Sequence, residues 1–170
     1  MDLYPGKLRG LKIQPCTEAE NAFEQVCAMA DHVLQRRLSE VQNTLYTEDL
    51  YIVATDKGRI VSAALVEEGD EFYVIQFLLS SPMYSLRAQG QALEQLLLWI
   101  LKRNPFRECA VRLVDQKELK LQKRLLKKLK FRFTGVSGRE HSDEMWERES
   151  PTGLDSPWHP VNRVEGYYTT

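Results

Sequence analysis

The residues with the clearest chemical potential lie in the stretch "SLRAQGQALEQLLLWILKR", Ser85 to Arg103. Arg87 is followed three places later by Gly90, and Ala92 follows two places after that, where a leucine-rich helix is predicted to begin. The first N–H groups of a helix have no partner inside it and lie at the positive end of its dipole, so they favour phosphate. Gly90 and Ala92 would allow close approach to the backbone, and Arg87 would add a fixed charge. The pattern predicts a phosphate-binding turn, the alternative being a glycine that the helix merely tolerates.

Three strands are predicted before this turn, because β-branched and aromatic residues dominate and turn signals stand at "DKG" and "EEGD". Their predicted bounds are Leu50–Thr55, Arg59–Glu67 and Glu71–Ser80. The helix of the turn should end before Pro105. A strand ("ECAVRLVD"), a helix with a leucine stripe ("KELKLQKRLLKKLKF") and two final strands ("FRFTGVSG" and "DEMWERE") are expected to follow.

The N-terminal part is predicted to contain one strand and two helices. The strand lies in "LRGLKIQPCT", and Thr17 with Glu20 forms a capping-box pattern at the start of the first helix. Helical spacing of apolar residues then continues long enough for two helices, with a break near Ser39 or Asn43. The element order is therefore β-α-α-β-β-β-α-β-α-β-β. This order predicts an α/β fold with a mixed, mostly antiparallel sheet flanked by helices on both faces.

Composition indicates one domain, residues 1–150, followed by a tail, residues 151–170, that is rich in proline and aromatic residues. The chain has 170 residues, of which 43% are hydrophobic, enough for a sizeable core. Its formal net charge of −1 argues against nucleic acid or a membrane surface as the partner. The tail carries Trp158, Tyr167 and Tyr168, so we expect it to wrap the domain or contact a partner.

The cysteine pattern favours reduced thiols and a cytoplasmic location. Cys16, Cys27 and Cys109 are scattered, and none forms a metal-binding pair with a neighbouring cysteine or histidine. The start "MDLYPGKLRG" has no apolar segment typical of a signal peptide, and no apolar run is long enough to cross a bilayer. We therefore expect neither a metal nor a membrane.

The element order and "FLLSSP…RAQGQALEQLLLWIL" resemble the GNAT acyltransferases over about Leu8 to Glu149. In that family a [Q/R]-x-x-G-x-[G/A] loop holds the pyrophosphate of acyl-coenzyme A through backbone amides. Arg87, Gly90 and Ala92 match its defined positions. The resemblance implies acetyl-coenzyme A or another acyl-coenzyme A as the donor. It also implies pyrophosphate contacts from Ala88, Gln89, Gly90, Gln91 and Ala92.

The family's preceding strand usually ends in L-x-V-x-P, where this chain has Leu78, Ser80 and Pro82, and the loop that follows is about two residues longer. The resemblance implies that this strand pairs with the pantetheine arm through Leu79 and Ser80 and parts from the next strand. The basic helix flanks the cofactor in the family, which implies that Lys123, or one of Lys117, Lys120 and Arg124, contacts the 3′-phosphate. The alternatives for this helix are a solvated face over its leucine stripe, a nucleic-acid stripe and a membrane-surface helix.

The segment "LLKKLKFRFTGV" resembles the family's "lYeklGFrftG", but it lacks the tyrosine that protonates the leaving thiolate. Leu126 stands at that position, and Lys130 replaces the family's glycine. Tyr84, in the loop before the phosphate site, and His141, in the last turn, are the candidates for the acid or base. Tyr73, Asp115 and Gln76 also lie on the strands beside the predicted gap, with plainer interpretations as sheet or cap residues.

Two main functions follow from these observations. The first is N-acyl transfer from acyl-coenzyme A to an amine, by direct attack in a ternary complex. The alternative is a catalytically weak or inactive GNAT-like module that binds acyl-coenzyme A or a protein partner as a sensor. A nucleic-acid-associated role of the basic helix is a third option. The acceptor, a small molecule or a peptide, the acyl chain length and a possible homodimer are not fixed by the sequence.

Overall fold

The structure is a computed structural model that describes residues 8–33, 48–69, 71–105, 107–113, 119–137 and 143–148. The second predicted helix, His141, Asp115 and the tail lie outside these residues, so the division at residue 150 stays a prediction. The described helices are α1 (Ala22–Val33), α2 (Leu86–Arg103) and α3 (Lys120–Lys128), with short 3-10 helices at Cys16–Glu18 and Glu48–Leu50. The strands are β1 (Leu11–Pro15), β2 (Tyr51–Asp56), β3 (Arg59–Glu68), β4 (Phe72–Ser80), β5 (Glu108–Leu113), β6 (Arg132–Ser137) and β7 (Asp143–Arg148).

The seven strands form one sheet in the order β1-β2-β3-β4-β5-β7-β6. All neighbouring strands are antiparallel except β4 and β5, which are parallel and are connected through α2. Two parallel strands have to be joined by a crossover connection such as α2, whereas the antiparallel strands β2, β3 and β4 need only hairpin turns. The predicted fold class, a mixed and mostly antiparallel sheet flanked by helices, is confirmed.

The two faces of the sheet are covered by different helices. Successive side chains of a strand point to opposite faces, so each strand contributes to both. One face packs under α2 and α3 with residues such as Ile75, Leu78 and Val111. The other face packs under α1 with residues such as Val53, Phe77 and Leu79. We call these the α2 face and the α1 face.

The turn between β2 and β3 has the geometry that "DKG" predicts. Lys57 and Gly58 have φ angles of 52° and 82°, which suit a two-residue hairpin turn with both central residues in the left-handed region. Gln25 of α1 joins the helix to this hairpin. Its side chain donates to the Gly58 carbonyl at 3.1 Å and accepts from the Ile60 N–H at 2.9 Å. These bonds fix α1 over the start of β3.

The first helix begins later than the capping-box pattern predicts. Thr17 lies in the 3-10 helix Cys16–Glu18, and α1 starts only at Ala22, after Asn21 with φ of 56°. The chain has to leave the edge strand β1 and cross onto the α1 face. The 3-10 turn and the left-handed residue provide that change of direction, so Thr17 does not cap α1.

The end of α3 explains how the chain tolerates Lys130 where the family has glycine. Lys130 has φ of 71°, and its N–H donates to the Lys127 carbonyl at 3.1 Å. The Phe131 N–H donates to the Leu126 carbonyl at 2.8 Å, and both of these side chains are buried in the core of the α2 face. This is a Schellman motif, whose left-handed position glycine normally occupies.

We predict that Lys130→Gly raises the free energy of unfolding by about 1 kcal/mol, because a left-handed conformation costs a residue with a Cβ roughly that amount. Urea denaturation of the two proteins measures the difference. Lys127→Gly is the matched control, since Lys127 is inside α3, where glycine costs about 1 kcal/mol. An equal loss of stability in both variants would contradict the prediction.

Candidate functional site

The strands β4 and β5 are paired only over their first halves. The pairs run from Phe72 with Glu108 to Ile75 with Val111. Beyond this point β5 stays paired with β7 on its other side, and β4 stays paired with β3 through Ser80. Within the described residues, the stretch 76–80 therefore has no strand on its β5 side. The two parallel strands part and leave a gap between them.

A bulge lies where the gap opens. Leu65 pairs with Phe77 and Val66 pairs with Ile75, so Gln76 is an extra residue on β4. A bulge bends its strand and increases the local twist, which accounts for β4 turning away from β5. It also settles the direction of the side chains, which the sequence alone leaves open. Ile75 and Leu78 face α2, whereas Phe77 and Leu79 face α1.

Five residues separate the end of β4 from the N-terminus of α2. Ser85 caps the helix, since its Oγ accepts from the Ala88 N–H at 3.2 Å and its carbonyl accepts from the Gln89 N–H at 2.9 Å. Ser81 and Gln89 hold the loop before it. The Ser81 N–H donates to the Val61 carbonyl at 2.8 Å, and the Gln89 side chain donates to the Tyr84 carbonyl at 2.7 Å. A helix that begins at Leu86 leaves the N–H groups of Leu86 and Arg87 without partners inside it.

Three of the five amides predicted to hold a phosphate lie beyond the open end of the helix. Gly90, Gln91 and Ala92 lie in the second turn, where an α-helix uses each N–H for its own hydrogen bonds. Gly90 contacts α3 instead, since a Cβ there would lie 3.3 Å from Leu121 Cδ1. Ala88 and Ala92 are fully buried in the core. Ser85, a preferred N-cap residue, is the signal that locates the helix start at Leu86, directly before Arg87.

Two buried side-chain oxygens lie near these elements without a hydrogen-bond partner. Ser80 Oγ, at the end of β4, and Gln122 Oε1, on α3, are both unpartnered, and their residues are 7% and 6% exposed. Ser62 Oγ, on the strand paired with β4 and directly opposite Ser80, is also buried and unpartnered. A buried polar atom without a partner costs free energy. A ligand amide in the gap would give Ser80 the partner it lacks.

Of the predicted acid and base candidates, His141 lies outside the described residues, and Tyr84 does not lie in an open site. Tyr84 is 2% exposed and is part of the core of the α2 face, and Leu126 is fully buried in the same core. Tyr73 and Cys109 are paired before the strands part. Burial raises the pKa of the Tyr73 phenol, and it raises the pKa of the Cys109 thiol to about 12. Both side chains are therefore neutral at physiological pH.

The basic helix α3 presents several exposed cations. Lys123, the predicted 3′-phosphate contact, forms an ion pair of 2.7 Å with Glu144 of β7. Lys120 and Arg124 are exposed on the same helix. The contact of Lys123 with the 3′-phosphate stays a prediction. Lys120 and Arg124 also offer positive charge, on side chains that are exposed.

An ion pair that the sequence does not reveal lies on the α1 face beside the gap. Arg112 is the first β5 residue after the last pair with β4, and its Nε lies 3.7 Å from Asp143 Oδ2 of β7. The Asp143 side chain is 2% exposed, whereas that of Arg112 is 38% exposed. The pair depends on the register of β5 with β7, which no local signal encodes.

The described residues contain no cluster of three or more histidine, cysteine, aspartate and glutamate side chains that could hold a metal ion. No helix in these ranges is both long enough and apolar enough to span a membrane. All three cysteines are unbridged.

Comparison with known proteins identifies the fold. No protein-family model and no curated protein matches the sequence. A GNAT-family acetyltransferase structure from Bacillus cereus superposes with a TM-score of 0.61 at 10% identity, over 84% of this chain and 99% of that one. The PaiA N-acetyltransferase of Thermoplasma acidophilum, in complex with coenzyme A, gives 0.59 at 13% identity, over 83% and 99%.

A third similar structure is the aminoglycoside 6′-N-acetyltransferase of Enterococcus faecium, with a TM-score of 0.58 at 12% identity, over 82% of this chain and 96% of that one. These superpositions cover nearly the whole length of each known structure and most of this chain. Identities this low establish the architecture and not the substrate. The chain has the GNAT acetyltransferase fold and is a divergent example of it.

Proposed function

We propose that the protein is an N-acyltransferase that moves an acetyl or other acyl group from acyl-coenzyme A to an amine. The parting of β4 from β5 directly before a capped helix N-terminus carries this proposal. Coenzyme A has an extended arm that ends in a pyrophosphate, so its binding needs a free strand edge followed by a helix N-terminus. The arm would pair with the free edge of a strand, and the helix N-terminus would hold the phosphates.

The residues present fit coenzyme A. The unpaired edge of β4 between Gln76 and Ser80 would bind the pantetheine arm, and the orphaned Ser80 Oγ supports a polar contact there. The amides of Leu86 and Arg87, with the exposed Arg87 side chain, would receive the pyrophosphate. This assignment moves the centre of the phosphate site from Gly90 to the first turn of α2.

The reaction follows from holding a thioester and an amine in the same gap. The neutral amine attacks the acyl carbon, the carbon–sulfur bond breaks, and the sulfur leaves as thiolate while the nitrogen loses its proton to water. The strand amides after Gln76 would orient the thioester carbonyl and stabilise charge on its oxygen. Bringing the two reactants together supplies much of the rate.

An amine acceptor is consistent with the names of structures that share the fold. They include aminoglycoside 6′-acetyltransferases and an arylalkylamine N-acetyltransferase-like protein from mosquito. The acceptor would approach from the α1 face, opposite α2. A homodimer and a cytoplasmic location remain part of the proposal.

A second candidate function, binding of acyl-coenzyme A without turnover, is favoured by one observation. The position of the family's tyrosine is filled by the buried Leu126, and Tyr84 is enclosed in the core. The described helix α3 contains no tyrosine, serine or threonine that could present a hydroxyl to the gap. Such a protein would report acyl-coenzyme A to a partner.

Calorimetric titration with acetyl-coenzyme A, followed by a screen of amines for thiol release, tests the proposal. We expect binding and acceptor-dependent release of coenzyme A. Binding without release on a broad amine panel would favour the sensor. Absence of binding would exclude both functions.

Ser80→Ala and Ser62→Ala form a matched pair that tests where the pantetheine arm lies. Each variant removes a buried hydroxyl without a partner, so we expect each to raise the free energy of unfolding by about 1 kcal/mol. Only Ser80→Ala should also weaken binding of coenzyme A, by roughly fivefold to tenfold, because one hydrogen bond is lost. Thermal unfolding and calorimetry measure the two effects. Equal affinities in both variants would show that the Ser80 hydroxyl does not contact the ligand.

A further inference from the structure

Gln122 is a polar residue on the inner side of the basic helix α3. The other buried residues of that side, Leu125 and Leu126, belong to the core of the α2 face. Gln122 is 6% exposed, and its Oε1 atom has no hydrogen-bond partner. A buried oxygen without a donor costs free energy that an apolar side chain of the same size would avoid. The carboxamide therefore does not stabilise the free protein, and a ligand that supplies an N–H would satisfy it.

Two contacts of α3 place Gln122 over β5 and the gap beside it. Successive residues of a helix are about 100° apart, so Gln122 points between the directions of Leu121 and Lys123. Leu121 points toward α2, because a Cβ on Gly90 would lie 3.3 Å from its Cδ1 atom. Lys123 points toward β7, where its ion pair with Glu144 measures 2.7 Å. The surface between these two contacts is that of β5 and its open edge, because β5 lies between β4 and β7 in the sheet.

The same ion pair fixes the level of Gln122 along the sheet. Glu144 lies directly opposite Leu113, the last residue of β5. The last residue of β5 that pairs with β4 is Val111, two residues earlier. The turn of α3 that carries Gln122 is therefore held beside the part of β5 from which β4 has already separated. Gly90 contributes to this placement, because the lack of a Cβ lets α3 come close to the second turn of α2.

The β4 side of the gap carries a second oxygen of the same kind. Ser80 ends β4 and lies on the α2 face, because it follows Leu78 by two residues. Its Oγ atom is also buried and unpartnered. The two oxygens thus belong to α3 and β4, which border the gap on the α2 face. An amide has one N–H donor and one carbonyl acceptor, so Gln122 Oε1 suits the donor and the Ser80 hydroxyl suits the acceptor.

We infer that Gln122 Oε1 accepts a hydrogen bond from an amide N–H of the pantetheine arm and thereby selects donors that carry this arm. The inference rests on the proposed binding of acyl-coenzyme A and adds a residue that lies outside the motifs of the sequence. The arm has two secondary amides, whereas the adenosine and phosphate part of coenzyme A has none. On this assignment Gly90 supports binding by positioning α3, not by contact with the pyrophosphate.

The test separates the arm from the phosphates. Coenzyme A and adenosine 3′-phosphate 5′-diphosphate, which has the phosphates and no arm, are titrated calorimetrically into wild type, Gln122→Met and Gln95→Met. Methionine keeps the length of the side chain and removes its oxygen. Gln95 is an exposed glutamine on α2, so its variant is the matched control.

We expect Gln122→Met to weaken binding of coenzyme A by about fivefold to tenfold, because one hydrogen bond is lost. Its affinity for adenosine 3′-phosphate 5′-diphosphate should equal that of the wild type, and Gln95→Met should bind both ligands like the wild type. The midpoint of thermal unfolding of free Gln122→Met should rise by about 2–4 °C, since an unpartnered buried oxygen is removed. Weaker binding by a more stable protein distinguishes a ligand contact from a structural role.

Two analogues of coenzyme A, each with one amide of the arm replaced by an ester, identify the N–H. The wild type should bind one of them about fivefold to tenfold more weakly than coenzyme A. Gln122→Met should bind that analogue and coenzyme A with equal affinity, because the hydrogen bond is already absent.

Equal affinity of wild type and Gln122→Met for coenzyme A would overturn the inference and leave binding of coenzyme A standing. An equal loss for both ligands would also overturn it, since the substitution would then act on the fold and not on the arm. If the wild type binds neither ligand, the proposed function fails and the inference fails with it. Binding without turnover does not affect the test, because every measurement in it is one of affinity or stability.

Discussion

The feature on which the rest of the structure depends is the single parallel pair, β4 with β5, and its early end. A parallel pair forces the chain to leave one end of β4, cross through a helix and return to the other end of the sheet. The N-terminus of α2 must therefore lie close to the end of β4, where the strand edge is exposed. An anion-binding helix end and a free strand edge become neighbours as a result of topology. The formation of the candidate site therefore does not depend on a side chain of unusual chemistry.

The bulge at Gln76 makes this arrangement compatible with a closed core. Without it, the alternation of β4 would place Phe77 and Leu79 on the α2 face and Leu78 on the α1 face. With it, both cores are filled and the strand still turns away from β5. The same residue thus separates the packed half of β4 from the half that is free to bind a ligand. Opening the sheet at this point removes hydrogen bonds of β4 with β5 only, because β3 still holds the other edge.

Local signals predicted the elements well, because the causes of those elements are local. The strand bounds of β2, β3 and β4 agree within a residue, and "DKG" forms the turn that its glycine indicates. The prediction for the start of α1 was wrong, since Thr17 belongs to a turn whose direction is imposed by the packing of α1 on the sheet. The capping preference of Ser85 indicates a helix start at Leu86, whereas the family pattern predicts the phosphate site around Arg87 and Gly90. The bulge at Gln76 and the Arg112–Asp143 pair could not be predicted, because both arise from strand registers between distant segments.

The absent tyrosine affects the proposed chemistry less than its place in the family suggests. Leu126 contributes to the core and, with Phe131, closes the end of α3, so the position has a structural role here. A leaving thiol with a pKa near 8.5 departs as thiolate near neutral pH without a strong acid, much like an unperturbed cysteine. The amine is more demanding, since a lysine-like ammonium with a pKa of about 10.4 is neutral in roughly one molecule in a thousand at pH 7.4. In the proposed reaction this proton leaves the acceptor to water. The rate of transfer would then depend on the basicity of the acceptor, and on how well the α1 face holds the rest of that molecule in place.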